Sequence, residues 1–129
     1  MRAPWLWMLV LAALVGCGDP TRPQHESLFA VAAGHGVLLE NRSDTPVVFI
    51  IMETEFAARA NFTLCERPVS DPADCGAIPA HGWGRVPNAN IGGYHPGARA
   101  IVYHARLVKD SQSGNFVRDS VRTLIVALR

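Results

Sequence analysis

The sequence carries little charge and almost no excess of either sign. Twelve Lys and Arg residues stand against eleven Asp and Glu residues in 129, for a net charge of +1. No basic run is present that could follow a phosphate backbone, which argues against a nucleic-acid partner. Because 49% of the residues are hydrophobic, the chain is not a charged disordered tail. Its length suffices for one domain and excludes a multidomain enzyme.

Motifs for catalysis and cofactor binding are also missing. The sequence contains no GxSxG elbow, no Ser-x-x-Lys and no CxxC pair, so nucleophilic chemistry lacks a candidate residue. Glu53 and Glu55 form a carboxylate pair two residues apart, which on a surface strand is usually only solvated. The glycines Gly92 and Gly93 lack the lysine of a phosphate-binding loop. We therefore expect no enzymatic activity, and we identify no cofactor and no small-molecule substrate.

Long hydrophobic runs are limited to one, from Ala3 to Val15. This run follows Arg2 and falls short of the roughly 18 residues that span a bilayer as a helix, so residues 1–16 are typical of a signal peptide. The run ends in Leu14-Val15-Gly16-Cys17, which resembles the lipobox of bacterial prolipoproteins. The alternative is an ordinary secretory signal, with Cys17 as a free thiol.

The lipobox resemblance implies a cellular location as well as the attachment of lipid. It implies cleavage before Cys17 and attachment of lipid to that cysteine, whose acyl chains hold the protein at a membrane. The polar residues up to 27 then form a tether, so residues 17–27 are the lipidated N-terminus and residues 28–129 are the folded domain. Asp19 stands at the third mature position, where the inner-membrane retention signal of the family would need it at the second. The expected location is the bacterial cell envelope, on the outer membrane facing the periplasm.

Two cysteines remain outside the lipobox, Cys65 and Cys75. In an oxidising compartment they are expected to form a structural disulfide. The loop between them is polar and contains Pro68 and Pro72, which predicts a surface excursion. Closing so short a loop restricts the unfolded chain by about 3 kcal/mol.

Short β-rich segments separated by turn residues make up most of the folded part. We predict strands over residues 37–40, 47–52 and 83–86, and a hairpin of residues 98–108 and 116–128 closed by the turn 109–115. Residues 53–60 favour one or two helical turns, although strand pairing could override that propensity. These segments predict an all-β fold, an antiparallel β-sandwich of about six to eight strands. The alternative architecture is a small open barrel.

A local pattern in the first hairpin adds a loose family likeness. Asn41, a polar turn and then Pro46-Val47-Val48-Phe49 resemble the start of bacterial immunoglobulin-like sandwiches. Residues 47–52 are apolar on both alternating faces, which predicts that segment 28–36, another loop or a partner protein covers the second face. Val117 and Val121 alternate with Arg118 and Arg122, which predicts that the valines are buried.

Binding or structural support is the function that remains, with a protein as the expected partner. We place the recognition surface on the loop 87–97, with Trp83, Tyr94 and His95, because aromatic anchors dominate interface energetics. Glycines in this loop would let the backbone approach a partner closely. The alternative for Trp83 is a core position between two sheets.

Histidine is the one residue type that favours a different function. Three of the five histidines, His81, His95 and His104, are candidates for a periplasmic copper or zinc site, because imidazole is a common transition-metal ligand. The sequence contains no HxH or HExxH spacing, so a metal site requires that the fold bring these three residues together.

Overall fold

The computed structural model describes residues 27–129. The predicted signal peptide, the lipobox with Cys17, and the tether up to residue 26 lie outside the described residues. The described part contains seven strands, in the order β1 Leu28–Ala33, β2 Gly36–Asn41, β3 Val47–Glu53, β4 Trp83–Pro87, β5 Arg99–Lys109, β6 Phe116–Arg118 and β7 Arg122–Ala127. A one-turn helix, α1 Thr54–Ala57, follows β3, and 3-10 turns occupy Pro72–Cys75 and Asn88–Asn90. No helix within residues 27–129 is long and apolar enough to cross a membrane.

The strands form two antiparallel sheets that do not close into a barrel. The first sheet has the order β1-β2-β4, and in the second sheet β5 pairs with β3, β6 and β7. Because residues 100–104 of β5 pair with β3 and β7 at once, β5 is the central strand, with β6 and β7 following one another along one edge. The predicted all-β sandwich is confirmed, and the alternative of an open barrel is wrong.

The main core lies between the two sheets. In β2, Val37 and Leu39 are fully buried, whereas the alternating Leu38 and Glu40 are half-buried, which is the period of two expected of a strand with one core face. The second sheet contributes inward-facing residues of β3, β5 and β7, and these include Val47, Ile51, Ala100, Val102 and Val126.

A second hydrophobic cluster covers the outer face of the second sheet. Val48, Ala105 and Leu107 are buried there beneath Leu64, and Cys65 packs against them. The second apolar face of residues 47–52 is thus covered by a loop of the same chain, residues 61–78. Segment 28–36 instead forms β1 and the turn that follows it, in the first sheet.

The predicted C-terminal hairpin is present, but its return strand is interrupted. In β6, Arg118 pairs with Leu107, whereas in β7, Arg122 pairs with His104, so one extra residue is inserted between the two strands. This bulge reverses the alternation of faces, because a slip of one residue moves every side chain to the other side of a sheet. Asp119 lies in this bulge and connects it to β5, because its Oδ1 accepts a hydrogen bond from the N–H of Arg106 at 3.0 Å.

The expectation that Val117 and Val121 are buried is wrong. Val117 and Val121 are 39% and 41% exposed, although their alternation with arginine predicted burial. The residues of β7 that face the main core are Leu124 and Val126.

Candidate functional site

The outer face of the first sheet carries side chains that are exposed and largely apolar. Antiparallel register aligns them in two neighbouring rows, because paired residues point to the same side of a sheet. One row holds Phe29, Glu40 and Trp83, and the next holds Val31, Leu38 and Arg85. We call these six residues the outer face. Arg85 is exposed, and so are three of the apolar members, namely Trp83 at 59%, Phe29 at 43% and Val31 at 41%.

Charged groups border the apolar side chains of the outer face. Arg42, just beyond the end of β2, places its guanidinium 4.3 Å from the centroid of the Phe29 ring. Its Nε donates to Oε2 of Glu40 at 3.2 Å. At the other end of the face, Arg85 extends towards the turn at Gly34, where an added Cβ would lie 3.3 Å from its Nη2. The aromatic and aliphatic groups therefore lie between two arginines.

The two sheets differ in how far their outer faces are covered by other parts of the chain. Residues 61–78 cover the outside of the second sheet over β3 and β5, with Leu64 only 6% exposed, whereas Ile125 of β7 is 56% exposed on that side. Residues 27–129 leave Trp83, Phe29 and Val31 of the first sheet exposed. Contiguous exposed apolar groups with a polar border are typical of an interaction surface. The first sheet therefore provides the candidate site.

The structure separates the three residues of the predicted recognition loop. Trp83 lies on the outer face and not in the core, so the alternative of a core tryptophan is wrong. Tyr94 packs against the main core, and its hydroxyl donates to the carbonyl oxygen of Arg129 at 2.6 Å. His95 is exposed and lines a pocket beside α1. Trp83 therefore does not share one surface with the other two residues.

The glycines of the same loop serve an internal contact. A Cβ at Gly92 would lie 2.6 Å from Cε1 of Phe56, and a Cβ at Gly93 would lie 2.5 Å from Cβ of Phe56. Gly93 also has φ +75°, a conformation that glycine adopts without steric cost. The close backbone approach that the glycines permit is thus to helix α1 of the same chain.

The pocket beside α1 has a volume of about 460 Å³ and combines Glu53, Glu55, Phe56, Arg59 and His95. Glu53 is buried and caps the helix. Its Oε1 accepts from the N–H of Glu55 at 2.9 Å, and its Oε2 accepts from the N–H of Phe56 at 2.9 Å. Glu53 and Glu55 therefore do not form a pair of solvated carboxylates. Glu53 is buried and accepts hydrogen bonds from backbone N–H groups, and of the two only Glu55 is exposed.

Glu53 makes stability depend on pH. Hydrogen bonds from the backbone of Glu55 and then of Phe56 hold the pKa of Glu53 below its ordinary value of 4.5, and the charge of His95 acts in the same direction. A carboxyl group whose pKa is lower in the folded state stabilises the fold above its unfolded pKa. That stability is lost as the pH falls through the folded pKa.

We predict that Glu53→Gln removes part of the acid-induced loss of stability. The variant is expected to unfold more easily than the wild type at neutral pH, and the difference should shrink below about pH 4. Urea unfolding at several pH values measures this, with Glu55→Gln as the matched control that leaves the cap intact. A constant difference across the pH range would contradict the assignment.

The three candidate metal ligands lie in three different environments. His81 is exposed, with its Nε2 2.7 Å from Oδ1 of Asp44. His95 lines the pocket beside α1, and His104 is 1% exposed on β5. Within the part of the chain that the structure describes, no group of three or more His, Cys, Asp or Glu residues is arranged to hold a metal ion. The fold does not bring the three histidines together.

Comparison with known proteins returns no matching family, no matching curated protein and no matching solved structure.

Proposed function

We propose that this chain is an exported, lipid-anchored β-sandwich domain that binds a protein through the outer face of its first sheet. The observation that carries the proposal is the exposure of Trp83, 59%, within a row of aligned side chains. Trp and Arg are the residues most enriched among those that dominate binding energy. The outer face presents Trp83 and Phe29 with Arg42 and Arg85 at its borders.

Rigidity of the sheet supports the same proposal. The outer-face side chains stand on paired strands, and β2 is hydrogen-bonded on both sides, to β1 and to β4. Side chains held by a sheet lose less conformational freedom on binding than side chains on a loop, so more of the contact energy appears as affinity. The arrangement suits a partner that meets a flat, preformed surface.

The proposed cellular location rests on the sequence alone. The apolar run Ala3–Val15 and the lipobox resemblance at Leu14-Val15-Gly16-Cys17 support export and a lipid on Cys17. The short segment between Cys17 and β1 would then hold the domain close to a membrane. On this proposal the protein works in the cell envelope, on the periplasmic side of the outer membrane.

A photo-crosslinking amino acid placed at position 83 in intact cells tests the proposal. Crosslinks to a protein are expected from position 83 and not from position 112, an exposed residue in the turn between β5 and β6. With Cys17→Ser, the crosslinked or free protein should no longer fractionate with membranes. Equal crosslinking from the two positions would contradict a specific face.

Alanine substitution separates binding from folding. Trp83→Ala and Phe29→Ala are expected to lower the Tm by no more than a few degrees, because exposed side chains contribute little to stability. They should reduce crosslinking from an adjacent probe at position 31 by about tenfold or more. Val117→Ala, which removes a comparably exposed apolar group elsewhere, is the control. A large loss of Tm with unchanged crosslinking would assign Trp83 and Phe29 to the fold.

A further inference from the structure

We propose that the protein bound by the outer face is a second copy of this chain, packed face to face about a two-fold axis. This inference rests on the proposed function, since it names the partner of the same surface. Two-fold dimers are the commonest symmetric assemblies, and their interface must be complementary to itself. The outer face meets that condition in the arrangement of its rows.

The register of the first sheet supplies the complementarity. One row contains Glu40 and Trp83, and the adjacent row contains Leu38 and Arg85. A two-fold axis that runs across the strands, between these rows, lays the first row of one copy over the second row of the other. Each strand of one copy then runs nearly antiparallel to the same strand of the other copy, as in aligned sheet packing.

The superposition sets Glu40 of one copy beside Leu38 of the other, and its favourable contacts are those that Arg85 makes. The guanidinium of Arg85 meets the ring of Trp83 in the second copy, and a cation over a tryptophan face is attracted by it. The same guanidinium reaches the carboxylate of Glu40, because Glu40 and Trp83 are cross-strand neighbours. The two-fold axis makes every such contact twice.

The outermost strand fits the same arrangement. Phe29 and Val31 are the members of the two rows that β1 contributes, and the axis places Phe29 of one copy against Val31 of the other. Both side chains are more than 40% exposed, so their mutual burial removes apolar surface from water. A partner protein with an acidic surface would pair with Arg42 and Arg85. It would offer no positive group to Glu40, whose one basic partner would then remain Arg42 of the same chain.

The size of the face predicts a weak dimer that a membrane strengthens. Three strands about 4.8 Å apart, two of six residues and one of five, present roughly 300 Å² of flat area per copy, below the ~800 Å² per partner of a standard interface. Lipid anchors confine copies to one surface, which raises their effective concentration without any new contact. Residues 17–27 could extend at most about 36–40 Å, which would keep each domain near the membrane.

Exchange of charge between the two copies tests the inference. Full-length chains with two different tags are co-expressed, crosslinked chemically while still in the membrane, then extracted and co-purified through one tag. Glu40→Arg in both copies, or Arg85→Glu in both copies, is expected to lower co-purification at least about tenfold, because like charges then face each other. Co-expression of one Glu40→Arg chain with one Arg85→Glu chain restores opposite charges across the axis and should return co-purification close to the wild-type level.

Control variants keep the result interpretable. Arg67→Glu reverses an exposed charge on the loop that covers the second sheet and should leave co-purification unchanged. Arg85→Gln removes the charge without adding repulsion and should give an intermediate loss. Thermal unfolding of each variant establishes that the domain is folded.

Three outcomes would overturn the inference. In the first, the mixed pair does not restore co-purification although both variants are folded. In the second, Arg67→Glu lowers co-purification as much as Glu40→Arg or Arg85→Glu does. In the third, the wild-type chain does not co-purify with itself. If position 83 still crosslinks to a different protein in the last case, the proposed function stands and only the second copy is excluded. If position 83 crosslinks to nothing, the proposed function fails as well.

Discussion

Asn41→Ala is expected to lower the free energy of unfolding by about 3 kcal/mol. The Asn41 side chain is fully buried at the end of β2, and its Nδ2 lies within hydrogen-bond distance of three carbonyl oxygens, those of Thr45 at 2.8 Å, Ile78 at 3.0 Å and Pro79 at 2.9 Å. Its Oδ1 accepts from the N–H and the Oγ of Ser43 at 3.0 and 2.7 Å. Truncation leaves buried polar groups without partners, and each such group costs roughly 1–3 kcal/mol.

Asn41→Asp tests the direction of these hydrogen bonds. The substitution keeps the size of the side chain and exchanges the donating NH₂ for an oxygen that faces three carbonyl oxygens. Repulsion in a buried site should make Asn41→Asp at least as destabilising as Asn41→Ala at neutral pH. Protonation restores one donor, so the loss should shrink in acid. Burial raises the pKa of such a carboxyl.

Urea unfolding at pH 7 and at about pH 5 measures both effects. Ser43→Ala is the matched control, because it removes the hydroxyl that contacts Oδ1 of Asn41 and the carbonyl oxygen of Thr45 but leaves the Asn41 amide in place. It should cost about 1 kcal/mol. Full stability of Asn41→Asp at pH 7 would show that the amide does not hold the turn to residues 78 and 79.

The role of Asn41 illustrates what local sequence can predict. Residues 41–46 were identifiable as a turn because Asn, Ser, Asp and Thr bond to their own backbone. The burial of Asn41 was not predictable, because the carbonyls of Ile78 and Pro79 lie 37 and 38 residues further along the chain. The residue types indicate a turn, whereas the tertiary contact that makes the turn rigid depends on the whole fold.

Strand positions and strand faces were predictable to different degrees. The segments that became β2, β3, β4 and β5 carry β-branched and apolar residues between turn signals, and those signals are local. Val117 pairs with Val108, which is itself 44% exposed, and Val121 lies in the bulge between β6 and β7. A single inserted residue leaves no clear mark on a hydrophobic pattern, so the sequence does not indicate where the alternation of faces ends.

The candidate site was predictable only in part. The sequence indicates Trp83 as an aromatic anchor but does not indicate its neighbours Phe29 and Leu38. These residues lie 54 and 45 positions before Trp83 in the sequence, and only the pairing of β1, β2 and β4 places them side by side. Proximity in sequence instead suggested Tyr94, whose ring turns towards the main core.

Loss of the disulfide is expected to destabilise the protein by about 3 kcal/mol. The structure confirms the predicted bond between Cys65 and Cys75, with Cα atoms 5.8 Å apart and a sequence separation of 10. A cross-link of this span reduces the freedom of the unfolded chain by about that amount. Both cysteines pack against the second hydrophobic cluster, so the bond also holds the loop that covers the outside of the second sheet.

The double variant Cys65→Ala/Cys75→Ala isolates this contribution. Cys65 has φ +48°, and alanine bears the same steric cost there, so the variant changes the cross-link and not the backbone preference. Comparison of urea unfolding for the double variant, for the reduced wild type and for the oxidised wild type gives the free energy. The reduced wild type and the double variant should agree within about 1 kcal/mol, and a loss below about 1 kcal/mol would contradict the assigned role.

Hydrogen exchange identifies the part of the domain that loses stability when the disulfide is removed. Without the bond, amides of residues 61–78 should exchange faster at concentrations of urea too low to unfold the domain, because local opening requires fewer contacts to break than global unfolding does. The amide of Val69, which donates to Phe116 at 3.0 Å, is a sensitive probe of the covering loop. Amides that pair β2 with β4 should change only as much as global stability does. Equal acceleration in both regions would mean that the bond stabilises the domain as a whole and does not specifically fasten the loop over Val48 and Leu107.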